Sequence, residues 1–189
     1  MVDYEEIKRK IRIENIVAST RIADELNLDV IAKSVDGAVY EPEQFPGLIY
    51  RLEEFKTAVL IFRSGKLNCT GAKNLETVRK TIYRVLEILR NIGMEVYDEP
   101  RITVQNIVSV FDLGQELNLA KIVKTFGPEH VEYEPEQFPG LVFSMDDPKV
   151  VLLLFGSGKV VCTGARKKED IERAAEKIAR ELVSKGLMQ

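Results

Sequence analysis

Residues 40–73 read YEPEQFPGLIYRLEEFKTAVLIFRSGKLNCTGAK, and residues 133–166 read YEPEQFPGLVFSMDDPKVVLLLFGSGKVVCTGAR. At an offset of 93, 19 of the 34 positions are identical. Upstream the match continues at an offset of 91: Glu14-Asn15-Ile16-Val17 meets Gln105-Asn106-Ile107-Val108, and Leu26-Asn27-Leu28 meets Leu117-Asn118-Leu119. The segments after Gly71 and Gly164 also correspond. A period this long, present only twice, argues for two tandem half-domains rather than a solenoid. The halves are residues 1–98 and 99–189, parting near Asp98-Glu99-Pro100. Two near-copies imply a pseudo-twofold molecule whose target is itself nearly twofold.

Composition narrows the class. The chain has 189 residues, 45% hydrophobic and 30% charged, enough to bury a core and remain soluble. Lys plus Arg number 27 against 30 Asp plus Glu, a net charge of −3. That excludes a protein holding nucleic acid by bulk charge alone. Two cysteines and one histidine, Cys69, Cys162 and His130, exclude a Cys/His zinc site with about four ligands. They equally exclude a disulfide-dense scaffold. No apolar run approaches the ~18 residues of a membrane span, and Met1-Val2-Asp3-Tyr4-Glu5-Glu6 is not a signal peptide. A soluble intracellular protein is expected, without cofactor, metal or membrane partner.

Each half reads as α+β. A strand (11–19; 102–110) precedes a short helix (30–35; 121–126). Four short strands then follow, punctuated by Pro46-Gly47 and Pro139-Gly140 and by the Ser64-Gly65 and Ser157-Gly158 hairpins. A long amphipathic helix closes each half. Leu75, Val78, Ile82, Val85, Leu86 and Leu89 recur at helical spacing in the first copy, and Ile171, Ala174, Ala175, Ile178 and Leu182 in the second. Gly93 and Gly186 are candidate stops. About ten strands and two long helices leave a problem. Thr57 to Phe62 and Val150 to Phe155 are apolar on both faces, whereas hairpin-linked antiparallel strands usually alternate. The helices cover one face only, so an external partner is expected on the other.

The period of two assigns residues to faces. Ala58, Leu60 and Phe62 point one way, Val59 and Ile61 the other. Asn68 shares a side with Thr70, and Asn15 with Val17. In the second copy Leu153 goes with Phe155, Val161 with Thr163, and Asn106 with Val108. Phe62 and Phe155 end strands at the Ser-Gly turns, while Phe45 and Phe138 lie in the Gln-Phe-Pro-Gly turns. Four phenylalanines thus sit two and two at sheet edges, duplicated with their turns, where a lone strand Phe would read as core. Cys69 and Cys162 fall on the helix side as buried small hydrophobes. Neither copy holds a nucleophile–base pair or a glycine-rich phosphate loop. Glu41, Glu43, Glu134 and Glu136 read as solvated loop acids rather than catalytic carboxylates.

At these residues the sequence resembles the TATA-box-binding proteins, general transcription initiation factors. The resemblance runs over residues 11–186 or so. It rests on two copies each of EPEQFPG, F-x-SGK and CTGA, and on Glu-Asn-Ile-Val beside Gln-Asn-Ile-Val. The acidic balance, short N-terminus and close similarity of the halves resemble the archaeal form, implying a cytoplasmic, nucleoid-associated factor and no enzyme. The family fold is a saddle, a curved antiparallel sheet with helices on its convex face, and it supplies the missing tenant: the DNA minor groove. The family is the type case of binders that wedge apolar side chains between bases, and the resemblance implies its DNA kink of about 80°.

By resemblance Phe45, Phe62, Phe138 and Phe155 match the wedges, in two pairs. Asn15 and Asn106 match the central donors to A N3 and T O2. Val17, Leu60, Thr70, Val108, Leu153, Val161 and Thr163 match the groove floor, where methyl groups would bury the N2 amino group of guanine unpaired. Arg51, Ser64, Lys66, Lys73, Ser157, Lys159 and Arg166 match phosphate contacts, which position rather than specify. Glu134 and Glu136 match the surface gripped by a B-type initiation factor, through which RNA polymerase is reached indirectly. Family members self-associate through the same sheet, so a homodimer without DNA is a further expected partner. Burying four Phe side chains contributes roughly 6–12 kcal/mol at ~1.5–3 each, against about a few kcal/mol per unstacked step, so wedging can offset bending without a basic surface. Three departures make the halves unequal: Ser144 stands where the first copy has Arg51, Asn68 where the second has Val161, and Glu14 where it has Gln105. The competing readings are a protein-interaction module that dimerises or binds a peptide through the open apolar sheet and, much weaker, an enzyme with no residue to nominate.

Overall fold

The computed structural model describes residues 1–189. The chain divides into two compact units, Asn15–Gln105 and Met1–Glu14 with Asn106–Gln189. In the first unit the strands β1 (Arg12–Arg21), β2 (Leu48–Leu52), β3 (Thr57–Ile61) and β4 (Lys66–Ala72) run in the order β2-β3-β4-β1, with every pairing antiparallel. Helix α2 (Leu28–Ser34) follows β1, and α3 (Leu75–Asn91) closes the unit. The second unit repeats the plan. Its strands β5 (Thr103–Asp112), β6 (Val131–Glu132), β7 (Leu141–Met145), β8 (Val150–Leu154) and β9 (Lys159–Ala165) run β5-β9-β8-β7-β6, again antiparallel, with α4 (Leu119–Phe126) after β5 and α5 (Lys168–Ser184) at the end.

The strands number nine, against about ten expected. Four strands follow the short helix in the second half but only three in the first. The missing one is reduced to a single reciprocal pair, Val39 with Ile49, whose N–H groups each donate to the other's carbonyl. Burial accounts for this. Val131 on β6 is 6% exposed, whereas its counterpart in the first half is Ala38, half-exposed and with only a methyl group to bury.

Local signals set the helices. Asn27, Asn118 and Asn74 cap α2, α4 and α3, each side chain accepting from the backbone N–H three residues on. Helix α5 lacks a side-chain cap but places Glu169 and Asp170 in its first turn, against the positive end of its dipole. Gly93 and Gly186 adopt positive φ, and the next residues, Met94 and Leu187, donate back five positions to Leu89 and Leu182. That closes both long helices in the same glycine-terminated motif. Val78, Ile82, Val85, Leu86 and Leu89 of α3 are buried, as are Ile171, Ala174, Ala175, Ile178 and Leu182 of α5. Leu75, expected on the buried stripe, is 55% exposed at the first position of the helix.

A helix not expected from the sequence, α1 (Tyr4–Arg9), precedes β1. It packs on α5 in the second unit. Ile7 is buried, Lys8 Nζ lies 2.7 Å from Glu176 Oε1, and the Arg180 guanidinium lies 4.1 Å above the Tyr4 ring. No helix is long and apolar enough to cross a membrane.

Candidate nucleic-acid interface

Within each unit the sheet has one sealed and one open face. In the first, Val59, Ile61, Leu67 and Cys69 are buried under 3% exposure, while Ala58, Leu60, Asn68 and Thr70 between them stay half-exposed. In the second, Leu152, Leu154, Val160 and Cys162 are buried, and Val151, Leu153, Val161 and Thr163 are not. The face assignment made from the period of two therefore holds. The non-alternating strands resolve into an apolar face under the helix and an apolar face without cover.

A β-bulge organises the centre of each open face. Ile16 pairs with Ala72 but Ala18 with Cys69, so β4 carries one extra residue there; Ile107, Ala165, Ser109 and Cys162 repeat the shift. The extra backbone turn is reached through Gly71 (φ +98°) and Gly164 (φ +103°), a conformation glycine adopts readily. Their N–H groups donate to Asn15 Oδ1 at 2.7 Å and Asn106 Oδ1 at 2.6 Å. This contact fixes both amides, because only the carbonyl oxygen can accept from a backbone N–H. Nδ2 then lies 3.2 Å from Thr70 Oγ1 in one unit and 3.1 Å from Thr163 Oγ1 in the other. Each amide keeps one N–H for an external acceptor. Alternation alone could not reveal this lock; the Thr-Gly pair of each CTGA segment was the available signal.

The phenylalanines form two matched pairs. Phe45 and Phe62 meet edge to face, ring centroids 5.9 Å apart at 65°; Phe138 and Phe155 meet at 5.9 Å and 68°. Phe45 is 36% and Phe138 42% exposed, unusual for large apolar side chains. Their turns are built alike: the N–H groups of Gln44 and Phe45 converge on the Glu41 carbonyl, and those of Gln137 and Phe138 on Glu134. The partner ring leaves β3 or β8 directly into a hairpin whose fourth residue, Gly65 or Gly158, has positive φ. Sequence reasoning read Gly47 and Gly140 only as turn formers. They have a second task. A Cβ on Gly47 would lie 2.7 Å from Phe45 and 2.9 Å from Phe62, and one on Gly140 2.6 Å from Phe138 and 3.0 Å from Phe155. Each glycine is the floor on which its rings rest.

Around the open faces Arg51, Lys66, Lys73, Lys159 and Arg166 are exposed and make no ion pair, unlike Arg84, Arg173 and Arg180 near the helices, which face Glu54, Asp147 and Glu176. Arg51 stands opposite Ala58 on the open side, and Ser144 takes its place opposite Val151. The hydroxyls of Ser64 and Ser157 each accept weakly from the N–H two residues on, at 3.4 Å, and keep their own hydrogens. Glu41, Glu43, Glu134 and Glu136 are all exposed. Burial pushes the Cys69 and Cys162 thiols up to about 11, opposed in part by the neighbouring hydroxyls of Thr81 and Ser109. Both stay protonated at neutral pH and act as core.

The family model described as transcription factor TFIID, or TATA-binding protein, matches residues 10–92 and again 101–184. The chain belongs to this TATA-binding family. The TATA-box-binding protein of Thermoplasma acidophilum is 62% identical over 181 residues, covering 96% of this chain and 98% of that one. That of Thermoplasma volcanium is 61% identical at the same coverage. The solved structure of the Methanococcus jannaschii protein of the family superposes with a TM-score of 0.86 at 50% identity, covering 92% of this chain and 98% of that one. The fold is that of the family, and the chain is an archaeal-type, DNA-binding general transcription initiation factor. The family is not one of enzymes, and a bare dimerisation or peptide-docking module is not favoured.

Proposed function

We propose that the two open faces bind the minor groove of a TATA promoter element, bend it, and present the complex to a B-type initiation factor and, through it, to RNA polymerase. The observation carrying this reading is the pair of phenylalanine clamps, each exposed and each seated on a glycine at the edge of an uncovered apolar face. Phe45 with Phe62, and Phe138 with Phe155, enter base steps and unstack them. The free amide N–H groups of Asn15 and Asn106 donate to A N3 and T O2. Val17, Leu60, Thr70, Val108, Leu153, Val161 and Thr163 line the floor and leave a guanine amino group without a partner. Arg51, Ser64, Lys66, Lys73, Ser157, Lys159 and Arg166 hold phosphates.

Glu134 and Glu136, with their twins Glu41 and Glu43, offer unpaired carboxylates to a basic partner surface. The protein works in the cytoplasm on the nucleoid, and without DNA the open faces cover one another in a homodimer. Each half forms its pair on its own chain segment, consistent with residues 1–98 and 99–189 acting as equivalent readers.

Fluorescence anisotropy of a short TATA duplex beside a G·C-scrambled duplex, at several salt concentrations, tests the proposal. Tight binding to the TATA duplex alone with a modest salt slope is expected, because apolar burial rather than counterion release supplies the affinity. Equal or absent binding to both duplexes would reject it.

A further inference from the structure

The open faces differ at one matched position. In the first unit Asn68 stands between Leu60 on β3 and Ser19 on β1. In the second, Val161 stands between Leu153 on β8 and Val110 on β5. Side chains directly opposite across antiparallel strands are neighbours on one face, so one floor carries two adjacent polar groups where the other carries two valines. Asn68 is half-exposed and its amide has no hydrogen-bond partner in the protein. Ser19 is 9% exposed and accepts from Gln105 Nε2 at 2.7 Å, leaving its own hydroxyl hydrogen uncommitted. The contrast with Asn15 is informative. Asn15 is locked as a donor by the Gly71 N–H, whereas nothing holds the Asn68 amide, and rotation of its terminal torsion turns either oxygen or nitrogen to the ligand.

We propose that Asn68, with Ser19 beside it, lets the first half accept a G·C pair at the point where Val161, beside Val110, confines the second half to A·T. The inference rests on the minor-groove reading above. A·T and T·A show only acceptors in the minor groove, while G·C adds the guanine N2 amino donor at its centre. Asn68 Nδ2 donates to A N3 or T O2. Rotated, Oδ1 accepts from guanine N2. Val161 offers neither, so guanine under the second half loses its hydration without replacement. The protein then binds asymmetric elements in one orientation, with the G·C-bearing arm under the first half.

The test uses three duplexes: a symmetric A·T element, the same element with one G·C pair in one arm, and one with G·C pairs at matched positions in both arms, the position being scanned along the arm. The protein is free to turn round on each duplex, so the design does not depend on which half meets which arm. Affinities are read as ratios to the all-A·T duplex within each protein. At one arm position the wild type is expected to lose less than about threefold on the one-arm duplex, and roughly 10- to 100-fold on the two-arm duplex, the usual cost of one mismatched pair. Asn68→Val extends that loss to the one-arm duplex, and Val161→Asn removes most of it from the two-arm duplex. Unchanged ratios in both variants would overturn the role of Asn68 while leaving the minor-groove reading intact. Failure of the wild type to prefer the all-A·T duplex over a scrambled one would overturn that reading, and this inference with it.

Discussion

The two halves hold the same clamp over different cores. Ring separations agree, the asparagine locks agree, and the glycine floors agree to within about a tenth of an ångström. Beneath them the polar groups have changed sides. In the first half the hydroxyl beside Cys69 comes from the helix, where Thr81 also meets Thr57 at 2.9 Å, and the strand contributes Ala18. In the second, the hydroxyl beside Cys162 is that of Ser109 on the strand, fully buried and without a hydrogen-bond partner, while the helix presents Ala174 and the Thr57 position is Val150. Cores tolerate such exchanges when volume and patterning are kept, and this one leaves a single buried hydroxyl, that of Ser109, unsatisfied in the second half. The outward geometry has no such freedom, which separates what supports each clamp from what the clamp does.

The strongest way to break that equivalence is to remove one clamp at a time. Phe138→Ala with Phe155→Ala, and separately Phe45→Ala with Phe62→Ala, should each weaken TATA-duplex binding by about 3–6 kcal/mol, from two side chains at ~1.5–3 each. Circular dichroism should remain native. A large difference between the two pairs would show that the halves do not share the load.

Next come the locked amides. Asn15→Ala and Asn106→Ala each remove a base-directed donor and strand the N–H of Gly71 or Gly164, with an expected binding loss of about 1–3 kcal/mol by titration. The glycine floors should follow at about 1–2 kcal/mol: Gly47→Ala or Gly140→Ala crowds both rings. Because neither position has positive φ, thermal stability should fall little while binding falls clearly.

Smaller effects test the cores. With thiols held near 11, alkylation of Cys69 and Cys162 by iodoacetamide, followed by mass spectrometry, should be negligible at pH 8 and similar for both. Above about pH 9 the unfolded chain ionises its thiols first, so folding stability should decline as pH rises from 9 towards 11. The smallest effect belongs to α1. The Lys8 and Arg180 partners hold the Glu176 carboxyl below its usual range, so this contribution is present above the ordinary carboxylate pKa and fades as pH falls through the lowered one. Lys8→Met should lower the melting temperature slightly at neutral pH and not at all once Glu176 is protonated.

Much of this was legible in the residues themselves. The duplicated EPEQFPG and CTGA segments gave the repeat, and alternation through Val59 and Leu60, or Leu152 and Leu153, gave the faces. Helix α1 was legible but unread: Asp3 caps it by accepting from the Glu6 N–H, and an Asp three residues before a Glu is a start signal. Other features were not legible. The lock on Asn15 needs a bulge; the phase break between Cys69 and Ala72 marks one, but not which side chain meets the Gly71 N–H. The spacing of Phe45 from Phe62 over Gly47 joins two strands' ends, so the second role of that glycine depends on tertiary approach. Whether Val39 extends a ladder or stops at one pair depends on burial, which is a property of its neighbours.

The most direct test of the paired clamps is the end-to-end distance of a TATA duplex labelled at both ends, read by energy transfer with and without protein. The wild type should shorten it markedly, and each folded double variant, Phe45→Ala with Phe62→Ala or Phe138→Ala with Phe155→Ala, should leave the bound duplex much straighter. A bound duplex bent as sharply by either variant as by the wild type would contradict the wedge account.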